Sequence, residues 1–318
     1  MKLVFCGTPQ FAVPILEALI AAHHEIALVV TQPDRPQGRG LELAAPPVKQ
    51  SALKHSLPVT QPERIKNNVE FRQHLEQIAA EAVIVVGYGR IIPTWMLGLP
   101  RFGNINLHAS LLPKYRGAAP IQWAIAEGET ITGVTTMLLN EGLDTGDILI
   151  QKEVSIVPED TAVTLAPRLA AVGAGLMVET LTGLQAGTIT PIPQEHNRAT
   201  LAPILKREDG LIDFSRTAAT TLNRLRGFQP WPGAYTFFHG KKLAVLEAKI
   251  AERVKLGPGA VNVENGRLLV GCGQGTALEL LSIQLEGKKR TLAEEFIRGY
   301  RVQPDEELGQ ETSKEVSS

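Results

Sequence analysis

The sequence is poor in cysteine, and the two cysteines that it has are far apart. Cys6 and Cys272 show no metal-ligand spacing and belong to no cysteine framework. This pattern argues against a zinc site and against a disulfide scaffold, so no metal is expected. We interpret both cysteines as small core residues, and such sparse use of cysteine fits the reducing cytoplasm.

Long apolar runs are also absent from the sequence. No stretch approaches the roughly 18 apolar residues that a membrane-spanning helix needs, so no membrane partner is expected. The run Leu3–Gly7 is too short for the apolar region of a signal peptide, and the turn residues Thr8 and Pro9 follow it at once. We therefore interpret this run as a buried first strand.

Neither sign of charge dominates, because the formal net charge is −1. This balance argues against a protein that coats nucleic acid without specificity. The charges are nevertheless uneven: residues 1–189 carry 14 Lys/Arg and 17 Asp/Glu, whereas residues 190–304 carry 17 and 11. The basic second half permits a polyanionic partner, although a solvated surface explains the excess equally well. The acidic tail 305–318 is predicted to be disordered.

A chain of 318 residues favours two domains, and strand and helix signals alternate through its first half. The apolar runs that predict strands are Leu3–Gly7, Glu25–Thr31, Ala82–Gly89 and Asn104–Ser110. Such alternation predicts an α/β domain, doubly wound and Rossmann-like, with a largely parallel sheet. Ligands of such sheets bind beyond the carboxyl ends of the strands, where the strand order switches.

The second half has short strands in place of this alternation. Two prolines in a polar stretch predict a linker over residues 188–206. Beyond the linker, closely spaced strands separated by glycine turns predict a smaller β-barrel. The predicted organisation is an α/β domain over 1–187, the linker, a β-barrel domain over 207–304 and the tail 305–318.

No dinucleotide-binding motif follows the first strand, and the chain has no P-loop, so a dehydrogenase lacks its main support. The densest polar cluster runs from Asn106 to Gly117. Alternation along the strand puts Asn106 and His108 on one face, near the carboxyl end. An amide beside an imidazole could stabilise a developing oxyanion, and the histidine could also move a proton.

A second polar group spans residues 140–147, where glycines stand on both sides of Asp144. On a loop after the predicted strand Val134–Leu139, this carboxylate could orient His108 and accept a proton. Each residue also has a structural alternative, because histidines near strand ends are more often structural and residues 142–147 would fit a turn. The residues gain significance only if they converge, which the sequence alone does not show.

Longer motifs extend over essentially the whole chain up to the tail. They are Cys6-Gly7-Thr8-Pro9 with Phe11-Ala12-Val13-Pro14, Thr31–Pro36 followed by Gly38-Arg39-Gly40, Asn106-x-His108 with Ser110–Gln122, Gly142–Asp147, Asp209-Gly210-x-Ile212-Asp213 and Pro230–Ala234. In these motifs the sequence resembles the folate-dependent formyltransferase family, most closely its members that act on methionyl-tRNA. The Asn-x-His and Ser-Leu-Leu-Pro strings are highly specific for folate-linked formyl transfer and less specific for the acceptor.

The resemblance implies a doubly wound amino-terminal domain, a carboxy-terminal barrel of the oligonucleotide-binding (OB) type, and 10-formyltetrahydrofolate as co-substrate without a metal. It implies a catalytic trio of Asn106, His108 and Asp144. It also implies a folate pocket lined by Tyr88, Gly89, Ile91, Ile92, Pro93, Ser110, Leu111, Leu112 and Pro113. The expected acceptor is initiator methionyl-tRNA, whose acceptor stem would contact Arg39 and Lys206.

One departure from the family pattern concerns the loop after Gly-Arg-Gly, where family members have lysines and this chain has Leu41-Glu42-Leu43. Because Arg39 remains and the second domain is basic, tRNA stays the expected acceptor. The alternatives are an amino-sugar-nucleotide formyltransferase, a formyltetrahydrofolate hydrolase, and an RNA-binding protein with an inactive α/β half. A monomer with no obligate protein partner is expected, since no exposed apolar stretch predicts an interface.

Overall fold

The computed structural model describes residues 1–37, 42–304 and 306–309 of the chain. These residues divide into two compact units. The first unit comprises residues 1–120, 131–155 and 164–203, and the second comprises residues 121–130, 156–163 and the chain from residue 204 onward. The first has a largely parallel sheet and the second an antiparallel sheet, so the prediction of an α/β domain followed by a smaller β domain is confirmed.

The sheet of the first unit has seven strands in the order β5-β2-β1-β6-β7-β8-β9, and a separate hairpin is formed by β3 and β4. The strands are β1 (Lys2–Gly7), β2 (Glu25–Val30), β3 (Arg35–Gln37), β4 (Glu42–Ala44), β5 (Val59–Thr60), β6 (Ala82–Val86), β7 (Asn104–His108), β8 (Ile131–Leu138) and β9 (Ile148–Ser155). The strands from β5 to β7 pair in parallel, and β8 and β9 add two antiparallel pairings. The strand predicted over Val134–Leu139 corresponds to β8, whereas β9 and the antiparallel pairings were not foreseen from the sequence.

Strand β6 lies inside the sheet, and all five of its residues are buried. A continuous β-branched run suits this position because both faces of the strand are covered. The predicted strand Ala82–Gly89 ends early, at Val86. Gly87 and Gly89 have φ angles of 55° and 79°, a left-handed conformation that cannot continue a strand. The strand predicted over Asn104–Ser110 likewise ends at His108.

The strand order reverses between β1 and β6, which are neighbours although they are distant in sequence. In register, Gly7 at the end of β1 lies beside Val86 at the end of β6. Just beyond these ends, the Tyr88 carbonyl accepts hydrogen bonds from Thr8 Oγ1 at 3.1 Å and Gln32 Nε2 at 3.0 Å. The two strand ends are therefore joined at the point where doubly wound sheets bind ligands.

Helices alternate with these strands in the order of the sequence. Up to residue 186 they are α1 (Val13–Ala21), α2 (Pro47–Lys54), α3 (Val69–Ile78), α4 (Thr94–Leu97), α5 (Pro120–Ala126) and α6 (Ala162–Ala186). In the described part of the chain, α6 is the one helix long and apolar enough to cross a membrane. Leu169 and Met177 on α6 are nevertheless fully buried, as in a core helix.

Helix α6 packs tightly on β7 through Gly173. A Cβ atom at Gly173 would lie 2.5 Å from Cδ2 of Leu107, well inside van der Waals contact. The missing side chain therefore lets the helix backbone approach the strand that carries Asn106 and His108. This close packing supports the strand from one side of the sheet.

The second unit contains a six-stranded antiparallel sheet in the order β10-β11-β14-β13-β12, with β15 beside β14. Its strands are β10 (Ala234–Phe238), β11 (Lys241–Ala251), β12 (Val261–Glu264), β13 (Arg267–Cys272), β14 (Thr276–Leu285) and β15 (Thr291–Leu292). Helices α7 (Ala218–Gly227) and α8 (Ala293–Tyr300) contribute to its core, which includes Phe214, Leu225, Phe238, Leu243, Val270, Leu278, Ile283 and Phe296.

Two segments outside the predicted domains carry specific contacts. Within the predicted linker 188–206, Ile192 and Ile148 exchange two backbone hydrogen bonds of 2.8 Å, and Ala202 N donates to Arg116 O at 2.7 Å. Within the predicted tail, Leu308 is buried in the core of the second unit. Residues 305 and 310–318 of that tail lie outside the described residues. Composition alone did not reveal these contacts because each depends on a partner distant in sequence.

Candidate active site

Strand β7 carries Asn106 and His108 on the same face, and both residues are buried. Asn106 lies opposite Val85 of β6 and Met137 of β8, and His108 lies opposite Thr135 of β8. Because hydrogen-bonded strands flank β7 on both sides, its backbone is fixed and its last side chains are held where the strand ends. The alternation predicted from the sequence is present.

The imidazole of His108 has an acceptor on each side. Its Nε2 lies 2.8 Å from the backbone oxygen of Tyr115, and its Nδ1 lies 3.7 Å from Oδ2 of Asp144. A carbonyl oxygen can only accept a hydrogen bond, so Nε2 carries the proton and Nδ1 faces the carboxylate. The separation of 3.7 Å is longer than a hydrogen bond, which leaves Nδ1 able to contact a third group.

Asp144 lies on the loop between β8 and β9, with a left-handed φ of 50°. Its Oδ2 accepts a hydrogen bond from Gly117 N at 2.9 Å. The Asn140 side chain organises the loop, because its Oδ1 accepts from Gly142 N at 3.0 Å and from Thr145 Oγ1 at 2.8 Å. The structure thus brings His108 and Asp144 together, and the backbone N–H of Gly117 fixes the carboxylate.

Gly146 explains why a glycine follows Asp144 so closely. A Cβ atom at this position would lie 1.8 Å from the backbone oxygen of Leu138. Any side chain would therefore push the loop away from β8, which also holds the loop through a 2.9 Å hydrogen bond from Leu138 N to Asp147 O. The glycine spacing in the motif is set by this close approach.

The turn formed by residues 110–113 is fixed by a buried threonine on β8. Thr135 Oγ1 donates to Ser110 O at 2.6 Å and accepts from Leu112 N at 3.2 Å. The Gln151 amide donates to Thr135 Oγ1 and to Leu112 O, both at 2.9 Å. Ser110 and Leu112 are buried, whereas Leu111 and Pro113 are half-buried. The predicted pocket residues here form a rigid turn.

The segment 88–93 is less uniform than the sequence suggested. The Tyr88 ring is buried in the core, and its hydroxyl has no hydrogen-bond partner among the described residues. This burial raises the pKa of Tyr88. The Tyr88 carbonyl, in contrast, lies where the strand order reverses between β1 and β6. Ile91 is 89% exposed, and Pro93 is buried. Tyr88 therefore contributes its backbone to this region while its ring packs in the core.

Two predicted tRNA-contacting residues have separate outcomes. Arg39 lies outside the described residues. Lys206 is exposed and belongs to the second unit, where its backbone N–H donates to Oδ2 of Asp209 at 2.7 Å. Its ammonium group is thus on a surface, as a phosphate contact requires.

Sequence reasoning missed Tyr115, Thr135 and Gln194, a buried residue whose amide donates to the backbone oxygens of Asp144 and Gly146. Tyr115 acts through its carbonyl oxygen, which no side-chain pattern indicates. Thr135 is one of several threonines on an ordinary strand, and Gln194 falls in a stretch that its prolines assign to a linker. A buried polar residue is recognisable only from its partners, so none of the three gave a usable signal.

We expect Thr135→Val to lower the free energy of unfolding by about 1–3 kcal/mol, the cost of leaving buried groups unsatisfied. Valine keeps the shape of threonine but loses the bonds to Ser110 O and Leu112 N. Urea denaturation followed by fluorescence would measure the change. Thr132 on the same strand is the matched control, because its buried hydroxyl has no partner among the described residues. Thr132→Val should cost nothing, and an equal loss in both variants would contradict the assignment.

The described residues contain no group of three or more His, Cys, Asp or Glu side chains placed to hold a metal ion. The candidate site consists of a buried imidazole, an amide on the same strand and a carboxylate, near a rigid turn.

Comparison with known proteins places this arrangement in a family. A family model described as formyl transferase matches residues 1–181, and one described as its C-terminal domain matches residues 204–301. A methionyl-tRNA formyltransferase of Acidobacterium capsulatum is 63% identical over 310 residues, which are 97% of this chain and 100% of that protein. The methionyl-tRNA formyltransferase of Koribacter versatilis is 63% identical over 313 residues, covering 98% and 100%.

Solved structures share the fold. The N-formyltransferase of Helicobacter canadensis, in complex with folinic acid and dTDP-3-aminofucose, has a TM-score of 0.66 at 19% identity and covers 88% of this chain and 98% of its own. Phosphoribosylglycinamide formyltransferase of Bacillus halodurans has a TM-score of 0.50 at 28% identity, covering 58% and 96%. The site geometry and the sequence matches over both units agree, and the chain belongs to the formyl transferase family, among the methionyl-tRNA formyltransferases.

Proposed function

We propose that this chain transfers the formyl group of 10-formyltetrahydrofolate to the α-amino group of initiator methionyl-tRNA. The relatives that match it over nearly their full length support this acceptor. The observation that carries the chemistry is the setting of His108, whose ring nitrogens face the Tyr115 carbonyl and the Asp144 carboxylate. A buried imidazole between two acceptors is suited to carry positive charge while a nearby oxygen becomes negative.

The accepting amine needs little activation. An α-amino group has a reference pKa of about 7.7–8.0, so an appreciable fraction is neutral near neutral pH. Its attack moves negative charge onto the formyl oxygen. The Asn106 amide and the Nδ1–H of protonated His108 donate hydrogen bonds to that oxygen, and such donors contribute about 2.7–4 kcal/mol each.

Asp144 completes the proton balance. The amine loses one proton as the new C–N bond forms, and the departing nitrogen of the folate gains one. The Asp144 carboxylate stabilises the His108 imidazolium and helps to remove the amine proton. Neither a covalent enzyme intermediate nor a metal is required, since the formyl group passes directly between two nitrogens.

The folate co-substrate, which supplies the formyl carbon, is proposed to bind along residues 88–93 and 110–113. Both segments follow the carboxyl ends of central strands: residues 88–93 follow β6, at the switch in strand order, and residues 110–113 follow its neighbour β7. A Cβ atom at Gly89 would meet no atom within 4 Å, so the space beside it is open. The exposed side chain of Ile91 offers an apolar surface that a planar ring would cover. Half-buried Ile92 is proposed to add further apolar lining, whereas Leu112 is buried.

The acceptor stem is proposed to contact Arg39 and Lys206. The excess of Lys and Arg over residues 190–304 supports phosphate contacts by the second unit, and these contacts orient an RNA without reading its sequence. Since the acceptor is a translation substrate, we propose that the protein acts in the cytoplasm, as a monomer that needs no obligate protein partner.

An acceptor competition tests the proposal. Purified protein is mixed with 10-formyltetrahydrofolate and methionyl-tRNA, and formyl-methionine is measured after mild ester hydrolysis. Parallel reactions offer an amino-sugar nucleotide, or water alone. Formyl-methionine as the dominant product would support the proposed function. Consumption of folate only in the sugar or water reaction would overturn the tRNA assignment and favour one of those activities.

A further inference from the structure

Gln194 is a buried side chain whose amide reaches the loop that carries Asp144. It is 5% exposed, although it lies in a polar stretch beside exposed residues. Its Nε2 donates to the backbone oxygen of Asp144 at 2.9 Å and to that of Gly146 at 2.7 Å. Both hydrogens of one amide group thus hold the loop on either side of Thr145.

Arg116 fixes which way this amide points. Its Nε and Nη2 donate to Gln194 Oε1 at 3.1 Å and 2.6 Å, and Nη2 also lies 3.1 Å from Nδ1 of His196. A guanidinium has donors only, so the oxygen of Gln194 must face Arg116. The NH₂ group must then face the loop. Arg116 is itself buried, and its fork geometry leaves the amide one orientation.

The backbone of Asp144 has an unfavourable conformation that the hydrogen bond from Gln194 helps to hold. Its φ of 50° lies in the left-handed region, which aspartate tolerates but does not favour. The conformation directs the carboxylate to Gly117 N at 2.9 Å and leaves it 3.7 Å from His108 Nδ1. Gln194 donates a hydrogen bond to the backbone carbonyl of Asp144. If this bond were lost and the loop shifted, the carboxylate would move with it.

We infer that Gln194 is a positioning residue that holds Asp144 toward His108 through the backbone, with Arg116 holding Gln194 in turn. The inference rests on the proposed function, because it matters to catalysis only if the Asp144 carboxylate faces His108 during formyl transfer. Gln194 touches no reacting atom. Its contribution is the placement of a group that does.

The test is Gln194→Glu, which keeps an oxygen for Arg116 and removes both donors to the loop. We expect kcat for methionyl-tRNA formylation to fall about 10- to 100-fold, the effect of a misplacement of about 1 Å, with both KM values within about twofold. Gln284→Glu is the matched control, because its amide also donates to a backbone oxygen, that of Lys288 at 2.8 Å, in the second unit. This control should keep full activity.

Two further readouts separate positioning from general damage. In an Asp144→Ala background, Gln194→Glu should change kcat by less than about twofold, because residues acting as one unit are not additive. A crystal structure of Gln194→Glu should show the carboxylate displaced from His108. An equal loss in both backgrounds, a rise in KM alone, or an unmoved carboxylate would overturn the inference.

Folding and the proposed function are controlled separately. If urea denaturation shows that Gln194→Glu does not fold, Gln194→Met, which has similar length and no charge, decides the same three outcomes. If the unmodified protein forms no formyl-methionyl-tRNA, the proposed function fails. The crystal structure of the variant then decides the positioning: a displaced carboxylate supports it, and an unmoved one overturns it.

Discussion

His108→Ala is expected to lower kcat for formyl transfer by about 10²–10⁴-fold, the range that a positioned acid–base group contributes. The substitution removes the ring that lies between Tyr115 O and Asp144 Oδ2. The formyl oxygen would lose a charged donor, and the carboxylate would lose its partner. Initial rates at saturating methionyl-tRNA and 10-formyltetrahydrofolate, measured as formyl-methionine, would give the change in kcat.

The KM for folate should change little in this variant, because residues 88–93 and the turn at 110–113 have their own supports. Thr135 holds the turn, and Gln32 holds the Tyr88 carbonyl, without help from His108. His74→Ala is the matched control, since His74 is exposed on α3, and it should keep wild-type rates. Retention of more than about a tenth of kcat by His108→Ala would refute a catalytic role for the imidazole.

Strands buried on both faces were the part of the fold most readable from the sequence. In β6 and β7 every residue is buried, so the apolar signal is continuous and its position is unambiguous. The polar residues Asn106 and His108 interrupt that signal where the strand ends, which is why they could be singled out. Burying a polar group costs free energy unless a hydrogen bond compensates for it, so polar residues in a buried strand indicate a specific role.

The loops were readable only in part. The glycines around Asp144 indicated a turn, and Gly146 does allow a close approach to β8. The support that Gln194 gives to that loop joins residues 50 positions apart and follows no local pattern. A main-chain contact such as that of Tyr115 O to His108 leaves no trace in side-chain types at all.

Element boundaries depended on backbone conformation more than on hydrophobicity. Apolar character alone extended β6 to residue 89, but the positive φ angles of Gly87 and Gly89 end the strand at Val86. In the acidic segment from residue 305 onward, composition suggested a free tail, whereas the apolar side chain of Leu308 enters a core. Burial of the leucine side chain stabilises this contact, and the neighbouring charged side chains can stay in water while it forms.

Asp144→Asn is expected to lower kcat by about 10²–10⁴-fold, although it only replaces one carboxylate oxygen by an NH₂ group. Asparagine can still accept the hydrogen bond from Gly117 N, and Gln194 still holds the backbone carbonyl. The loop should therefore stay in place. What is lost is the negative charge 3.7 Å from His108 Nδ1, which in the proposed mechanism stabilises the imidazolium as the formyl oxygen becomes negative. The decrease should appear in kcat, with the KM for methionyl-tRNA unchanged.

Glu141→Gln is the matched control for charge, because Glu141 is an exposed carboxylate on the same loop that accepts from Thr94 Oγ1 at 3.2 Å. Its neutralisation should change kcat by less than about twofold, since an exposed charge is screened by water. If both variants were equally active, the charge of Asp144 would be dispensable, and the loop would serve only to shape the site. If Asp144→Asn alone lost activity while its midpoint of urea denaturation stayed unchanged, the half-buried charge itself would be the catalytic contribution of this loop.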